Sequence, residues 1–473
     1  MNKKATPLIG NIVRRLFGRN ATEQDTTPSQ TDNNAKRRLI SEEEHRIPRR
    51  NLNDAAMKTA YHLQDEGYEG YLVGGCIRDL LLKKRPKDFD VATDATPEQA
   101  HALFRRSRLI GRRFKLLHVR FGRDLIEVAT FRASHDSQPK NGDGEHGRQS
   151  DSGLILRDNV YGTIEEDALR RDFTVNALYY CPKDHCVYDF ANGYNDLLNK
   201  TLRMIGNPEA RYREDPVRML RAARFAAKLD FTIEPASETP IPELAYLLKD
   251  IAPARLFDEA LKIFQSGHGV QSYHQLRKHN LMDPLFGQTN DCIDNPGNYP
   301  VEKLVLNALS NTDRRLQQNK SVTPAFLFAA LLWYPMQRRM EQLQKEGMHS
   351  VPAMHEAANQ VIGMQIRQTA IPRRFSTPIR EIWELQLRLP RRQGKRAERL
   401  VEHPRFRAAY DLLVLRENSG ENLDGLAAWW TDYQANNPQS RNTMTRDLGA
   451  DEQPRKRRRR RRPAKKSGPQ SGE

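Results

Sequence analysis

The stretch Leu72-Val73-Gly74-Gly75-Cys76-Ile77-Arg78-Asp79-Leu80-Leu81-Leu82, followed after four residues by Lys87-Asp88-Phe89-Asp90-Val91-Ala92-Thr93, decides the fold. Tyr71-Leu72-Val73 reads as a strand, the glycine pair as a turn, Cys76 to Leu82 as a helix, and Phe89 to Val91 as part of a second strand. Alternate side chains of a strand share a face, so Asp88 and Asp90 point to one site while Phe89 turns into the core. Hard oxygen ligands projecting together suit Mg2+, and such ions can activate an attacking hydroxyl and stabilise a leaving pyrophosphate. An acid-x-acid triplet alone is weak evidence, because most are solvated turns. Its surroundings add weight. Gly74 and Gly75 let a phosphate approach the backbone where a helix begins, and Arg78 can pair with that phosphate.

Working outward, the pattern on either side is compact α/β. Ala55, Ala56, Ala60 and Leu63 form an apolar helical face, with Gly67 as the C-terminal cap. Thr96 caps a helix over Pro97 to Phe104. Leu116 to Phe121 and Leu125 to Phe131 read as strands joined by a tight Gly122-Arg123-Asp124 turn. Ser134 to Gly153 reads as a loop, rich in Gly, Ser, Asp and Gln. From about residue 201 to 446 the periodicity is almost all helical.

Two further clusters carry chemistry. In Arg170-Arg171-Asp172-Phe173-Thr174-Val175-Asn176, two arginines can pair with a triphosphate, and Asp172 can orient them, bind the ribose or complete a carboxylate set. Glu127, on the preceding strand, is the rival third carboxylate; Asp172 is favoured. In Glu214-Asp215-Pro216-Val217-Arg218-Met219-Leu220-Arg221, Asp215 and Arg218 are three apart at a helix start and share a face. A carboxylate accepts from an exocyclic amine and a guanidinium donates to a ring nitrogen. That pair fits adenine and cytosine and leaves guanine and uracil mispaired. It does not separate A from C. Arg221, one turn on, reaches the phosphates or the base.

Composition sets the outer limits. The chain has 473 residues, long enough for two or three domains. Its mean hydropathy is −0.78 and no apolar run approaches a membrane span. The net charge is +17. Arg455 to Arg462 is an unbroken run of eight basic residues, joined by Lys465 and Lys466; the +17 less those ten leaves +7 on the remainder. A polyanion, nucleic acid above all, is the simplest partner. Cys181 and Cys186 enclose four residues including His185, but no second pair completes a zinc site, so the four cysteines read as reduced and the location as cytoplasmic. Leu8, Ile9, Ile12, Val13, Leu16 and Phe17 make a short basic amphipathic segment that could touch a membrane surface peripherally, RNA or a partner.

Taken together, the Leu72–Leu82, Lys87–Thr93, Arg170–Leu178 and Glu214–Phe225 motifs resemble the class II nucleotidyltransferases, the family of the CCA-adding enzymes and bacterial poly(A) polymerases. Leu109-Ile110-Gly111-Arg112-Arg113-Phe114, the helical segments around Trp383-Glu384-Leu385 and Phe406-Arg407-Ala408, and the basic tail are more similar to the poly(A) polymerase branch. The resemblance spans roughly residues 50 to 430. It implies an α+β fold: a small nucleotidyltransferase head with a mixed sheet and helices, then a mostly α-helical neck, body and leg, with disordered basic termini. The boundaries expected are a disordered arm over 1–50, the head over 51–200, a neck carrying the base-selecting motif over 201–265, a helical body with the RNA-binding region over 266–446, and a disordered tail over 447–473.

The activity implied is template-independent AMP transfer from ATP to RNA 3′ ends, with Mg2+ on Asp88 and Asp90. Asp88, Asp90 and Asp172 are then the catalytic set. Gly74, Gly75, Arg78, Arg170, Arg171, Asp215, Arg218 and Arg221 hold the nucleotide. Arg391, Arg392, Lys395 and Arg396 form a candidate RNA-backbone patch. An RNA chaperone or a degradation complex is a partner this reading admits. The alternatives are a CCA-adding enzyme and a non-catalytic RNA-binding relative.

Overall fold

A computed structural model describes residues 37–111, 115–133, 147–149, 155–158 and 160–448. The amphipathic segment Leu8–Phe17, residues 112–114 of the Leu109–Phe114 segment, most of the Ser134–Gly153 loop and the basic run from Arg455 lie outside the described residues.

Twelve strands are described: β1 Arg38–Ile40, β2 Tyr71–Val73, β3 Asp90–Thr93, β4 Ser107–Ile110, β5 Leu116–Phe121, β6 Asp124–Thr130, β7 Gly147–Gln149, β8 Ile155–Asp158, β9 Leu178–Tyr180, β10 Val187–Asp189, β11 Thr201–Leu202 and β12 Thr232–Ile233. Eight of them make one mixed sheet in the order β1-β10-β9-β2-β3-β6-β5-β4. β3 and β6 run parallel at its centre, and the other pairs are antiparallel. Gly122 and Arg123 close the β5–β6 hairpin in two residues, with Gly122 at φ 58° as such a turn requires.

The expected helices form with the expected caps. Thr96 and Gln99 make a reciprocal capping box at the start of Pro97–Leu103. Gly67, at φ 87°, ends the chain turn after Asp54–Asp65, whose Ala55, Ala56, Ala60 and Leu63 are buried.

Two boundaries differ from expectation. The arm expected to run to residue 50 ends earlier, because Arg38–Ile40 pairs with β10 and Ile40 is fully buried. A three-residue edge strand among charged neighbours has too few apolar positions to display a period. The segment taken as a loop over Ser134–Gly153 contains β7, paired antiparallel with β8.

From Pro208 to Asp447 the chain is helix after helix, the longest being Ser350–Gln368, interrupted by the short strand β12, which pairs in parallel with β11. One continuous core joins one sheet face to these helices, from Ile40 through Val217, Met219 and Leu220 to Leu415. A second cluster around Tyr71, Tyr179 and Phe131 fills the opposite sheet face. A third, around Trp430 and Phe406, holds the last helices together.

Candidate active site

Asp88 is exposed just before β3, Phe89 is buried, and Asp90 opens the strand half-buried, so the alternation follows the pleat. Asp90 stands opposite Glu127 in the parallel β3–β6 register. Glu127 stands opposite His118, whose Nε2 lies 3.2 Å from Glu127 Oε1. One sheet face therefore carries a row of Asp90, Glu127 and His118, with Asp88 beside its end. Burial first, then the Glu127 and Asp88 charges, push the Asp90 carboxyl up to about 6, while Arg171 opposes them. Like charges gathered with so little compensation suit a hard divalent cation. Among the described residues no three His, Cys, Asp or Glu side chains converge as a ready-made ligand set.

The glycine turn sits directly against this row. Gly74 has φ 78° and ψ −129°, a conformation closed to most L side chains. A Cβ added there would stand 3.4 Å from Arg171 Nη1. Arg171 is anchored from behind: its Nε donates to Tyr179 Oη at 2.8 Å, and its Nε and Nη2 donate to Asp167 Oδ2 at 3.2 and 3.0 Å. Its Nη1 is thus left facing the glycine turn.

Arg78, expected to contact a phosphate, is engaged by side chains of the fold. It is buried, donating through Nη1 to Asn176 Oδ1 at 2.7 Å and through Nε and Nη2 to Asp79 Oδ1 at 2.8 and 2.6 Å. Its guanidinium also lies 5.2 Å from the Phe225 ring centre. It ties the turn to the Arg170–Asn176 segment and to the Val217–Leu229 helix.

Asp172, favoured above as the third carboxylate, is turned toward that helix. Its Oδ2 lies 2.8 Å from Arg221 Nη2, and its Oδ1 accepts from Asn176 Nδ2 at 3.0 Å and Phe173 N at 2.8 Å. Burial works to raise its carboxyl, but Arg221 and these donors hold it below the usual carboxylate range. Spacing along the chain gave no sign of this, because the competing Glu127 meets Asp90 only through strand register.

Asp215 and Arg218 are near neighbours with separate partners. Asp215 caps the Pro208–Glu214 helix and its Oδ2 accepts from Arg255 Nη2 at 2.6 Å. Arg218 Nη1 donates to Glu214 Oε2 at 2.6 Å and to the Arg211 carbonyl at 2.7 Å. Among the described residues its Nε and Nη2 have no partner. Arg211 in turn donates to the carbonyls of Arg170 and Arg171 and to Glu214 Oε2. Burial first, then Arg218, lowers the Arg211 guanidinium to about 10.

Arg211, Arg255 and Phe225 are therefore site residues that sequence reasoning missed. Arg255 lies in the Pro253–Phe264 helix, far from any motif, and no sequence signal marks it. Arg170 ends its helix half-buried, with its carbonyl on Arg211. The Arg391–Arg396 patch lies apart from these groups, around the start of the Lys395–Val401 helix, with Arg392 4.9 Å from the Trp429 ring centre.

Comparison with known proteins places the chain in a family. Three family models match in succession: the poly A polymerase head domain over residues 70–203, the probable RNA and SrmB-binding site of polymerase A over 230–293, and the polymerase A arginine-rich C-terminus over 346–464. Poly(A) polymerase I of Salmonella typhimurium is 47% identical over 96% of this chain and 97% of its own length. Poly(A) polymerase I of Haemophilus influenzae is 49% identical over 85% and 89%. The CCA-adding enzyme of Lactobacillus helveticus matches at 36% over 46% of this chain and 51% of its own. Among solved structures, the Thermotoga maritima CCA-adding enzyme complexed with tRNA shares the fold, with a TM-score of 0.54 and 19% identity over 84% of this chain and 86% of that one. With near full-length identity of this order and three consecutive family matches, the chain belongs to the poly(A) polymerase I family of polynucleotide adenylyltransferases.

Proposed function

We propose that this chain adds AMP from ATP to RNA 3′ ends without a template, releasing pyrophosphate, with Mg2+ held by Asp88 and Asp90. The carrying observation is the Asp90 carboxyl, raised to about 6 by burial and by its acidic neighbours, with Arg171 close by and its Nη1 facing the Gly74 turn. Enzymes of this family generally use divalent metal ions with a nucleotide substrate. A bound Mg2+ supplies Lewis-acid activation of the attacking hydroxyl and charge neutralisation at the leaving pyrophosphate.

The chain's own residues do the positioning. Glu127, across from Asp90, takes the role of third carboxylate in preference to Asp172, which positions Arg221. Arg171 Nη1 and the Gly74 turn receive the triphosphate. Asp215, braced by Arg255, and Arg218, braced by Glu214, read the amine and acceptor nitrogen of the base edge. Catalysis rests on orientation and charge.

The catalytic head is assigned to 51–200, the base-selecting neck to 201–265, the body to 266–446 and the basic arms to the termini. RNA and ATP are the substrates, RNA turnover in the cytoplasm is the setting, and a degradation complex or RNA chaperone is the expected protein partner. The test is incorporation into a generic RNA offered ATP or CTP. Long A tails are expected; addition of C and A confined to tRNA would make this a CCA-adding enzyme instead.

A further inference from the structure

The carboxylate row continues past the active site to a sheet edge. His118 stands opposite Arg108 in the β4–β5 register, and Arg120, two residues along β5, stands opposite Leu125. Side chains in register share a face, so Arg108, Arg120 and Leu125 project to the same side as Asp90 and Glu127. There they line an open cavity of about 760 Å³ with His118, Arg105 and Arg106, and no acidic residue is among its lining. All four arginines are exposed, and among the described residues none has an ion pair or side-chain hydrogen bond. Among the candidate nucleotide-binding arginines, by contrast, Arg171, Arg218 and Arg221 each have a carboxylate partner.

Like charges held together without acids destabilise a surface unless a polyanion visits it. His118, in contact with Glu127, belongs to both the cavity and the carboxylate row. At about 4.8 Å per strand, Arg108 is about 14 Å from Asp90, within reach of a strand only a few nucleotides long.

We infer that this groove, lined by Arg105, Arg106, Arg108 and Arg120, holds the phosphates of the RNA strand immediately upstream of the reacting 3′ end. The inference rests on the polymerase reading above for the direction of the strand. Leu125, half exposed, offers an apolar surface to a base without selecting one, as a tail of indefinite length requires.

The test is the full chain carrying Arg108→Gln and Arg120→Gln, with Arg108→Lys and Arg120→Lys as the charge-keeping control. A labelled oligoadenylate is bound across a salt series, and KM is measured separately for RNA and for ATP. The Gln pair is expected to lower the slope of log affinity against log salt by about 1.4 and to raise the RNA KM roughly tenfold, with the ATP KM unchanged. The Lys pair keeps the wild-type slope. An unchanged slope in the Gln pair overturns the groove, as does a raised ATP KM with RNA binding intact, which would make it a triphosphate site. A lowered slope in the Gln pair, together with a wild-type protein that incorporates no AMP, would sink the polymerase reading while leaving the groove standing.

Discussion

The two charged centres of this molecule are built on opposite terms. In the sheet, Asp88, Asp90 and Glu127 crowd together with Arg171 as the opposing charge at Asp90, and Asp90 is raised to about 6. In the helical layer beyond, each carboxylate is matched: Asp172 with Arg221, Glu214 with Arg218 and Arg211, Asp215 with Arg255. The first arrangement gathers negative charge with little to offset it. The second pairs its carboxylates with arginines and serves as a frame. On the function proposed above, the difference separates chemistry from recognition: the sheet holds what reacts, and the helices hold what chooses.

If the helical layer is a frame, breaking one of its pairs should cost stability. Arg221→Ala leaves Asp172 buried without its cation but still bonded to Asn176 and Phe173, and the expected loss is about 2 kcal/mol, read by denaturant unfolding. A loss under about 0.5 kcal/mol would mean that the pair contributes no more than a surface ion pair. The glycine turn joins the two centres and should respond next. Gly74→Ala forces a side chain into positive φ against Arg171, so a loss of about 1–2 kcal/mol and a raised ATP KM are expected. Unaltered ATP KM would separate the turn from nucleotide binding.

The smallest effect carries the opposite sign. The Asp90 carboxyl is raised from 3.8 to about 6, so the folded state holds that proton more tightly than the unfolded chain. Its stabilising contribution is full below pH 3.8 and is lost as pH rises through about 6. Without divalent metal, Asp90→Asn should therefore be more stable than the wild type above that pH by about 1 kcal/mol, after allowance for solvent screening. Equal or lower stability in that mutant would show that the carboxylates are not strained against one another.

What could be seen in the sequence follows from how each centre is assembled. Gly74, Asp88 and Asp90 lie within one strand–turn–helix–strand unit, where local spacing sets geometry, and they were legible. Glu127 comes from a strand 37 residues further on and meets Asp90 only through parallel register, which spacing does not encode. Arg255 reaches Asp215 across 40 residues from a separate helix. Arg78 looked like a phosphate ligand because its motif adjoins the turn, and only the packing of Asn176 and Phe225 around it reveals its buried role. β1 was missed because three residues at a sheet edge carry no period. The helical half was legible in class but not in its pairing, since a 3.6-residue period fixes which face is buried and not what covers it.

The most direct test of the account is AMP incorporation by Asp90→Asn, measured beside RNA affinity in the same preparation. The account predicts that incorporation falls by at least about a hundredfold while RNA affinity stays within about twofold of wild type. Near-normal incorporation by that variant would contradict it.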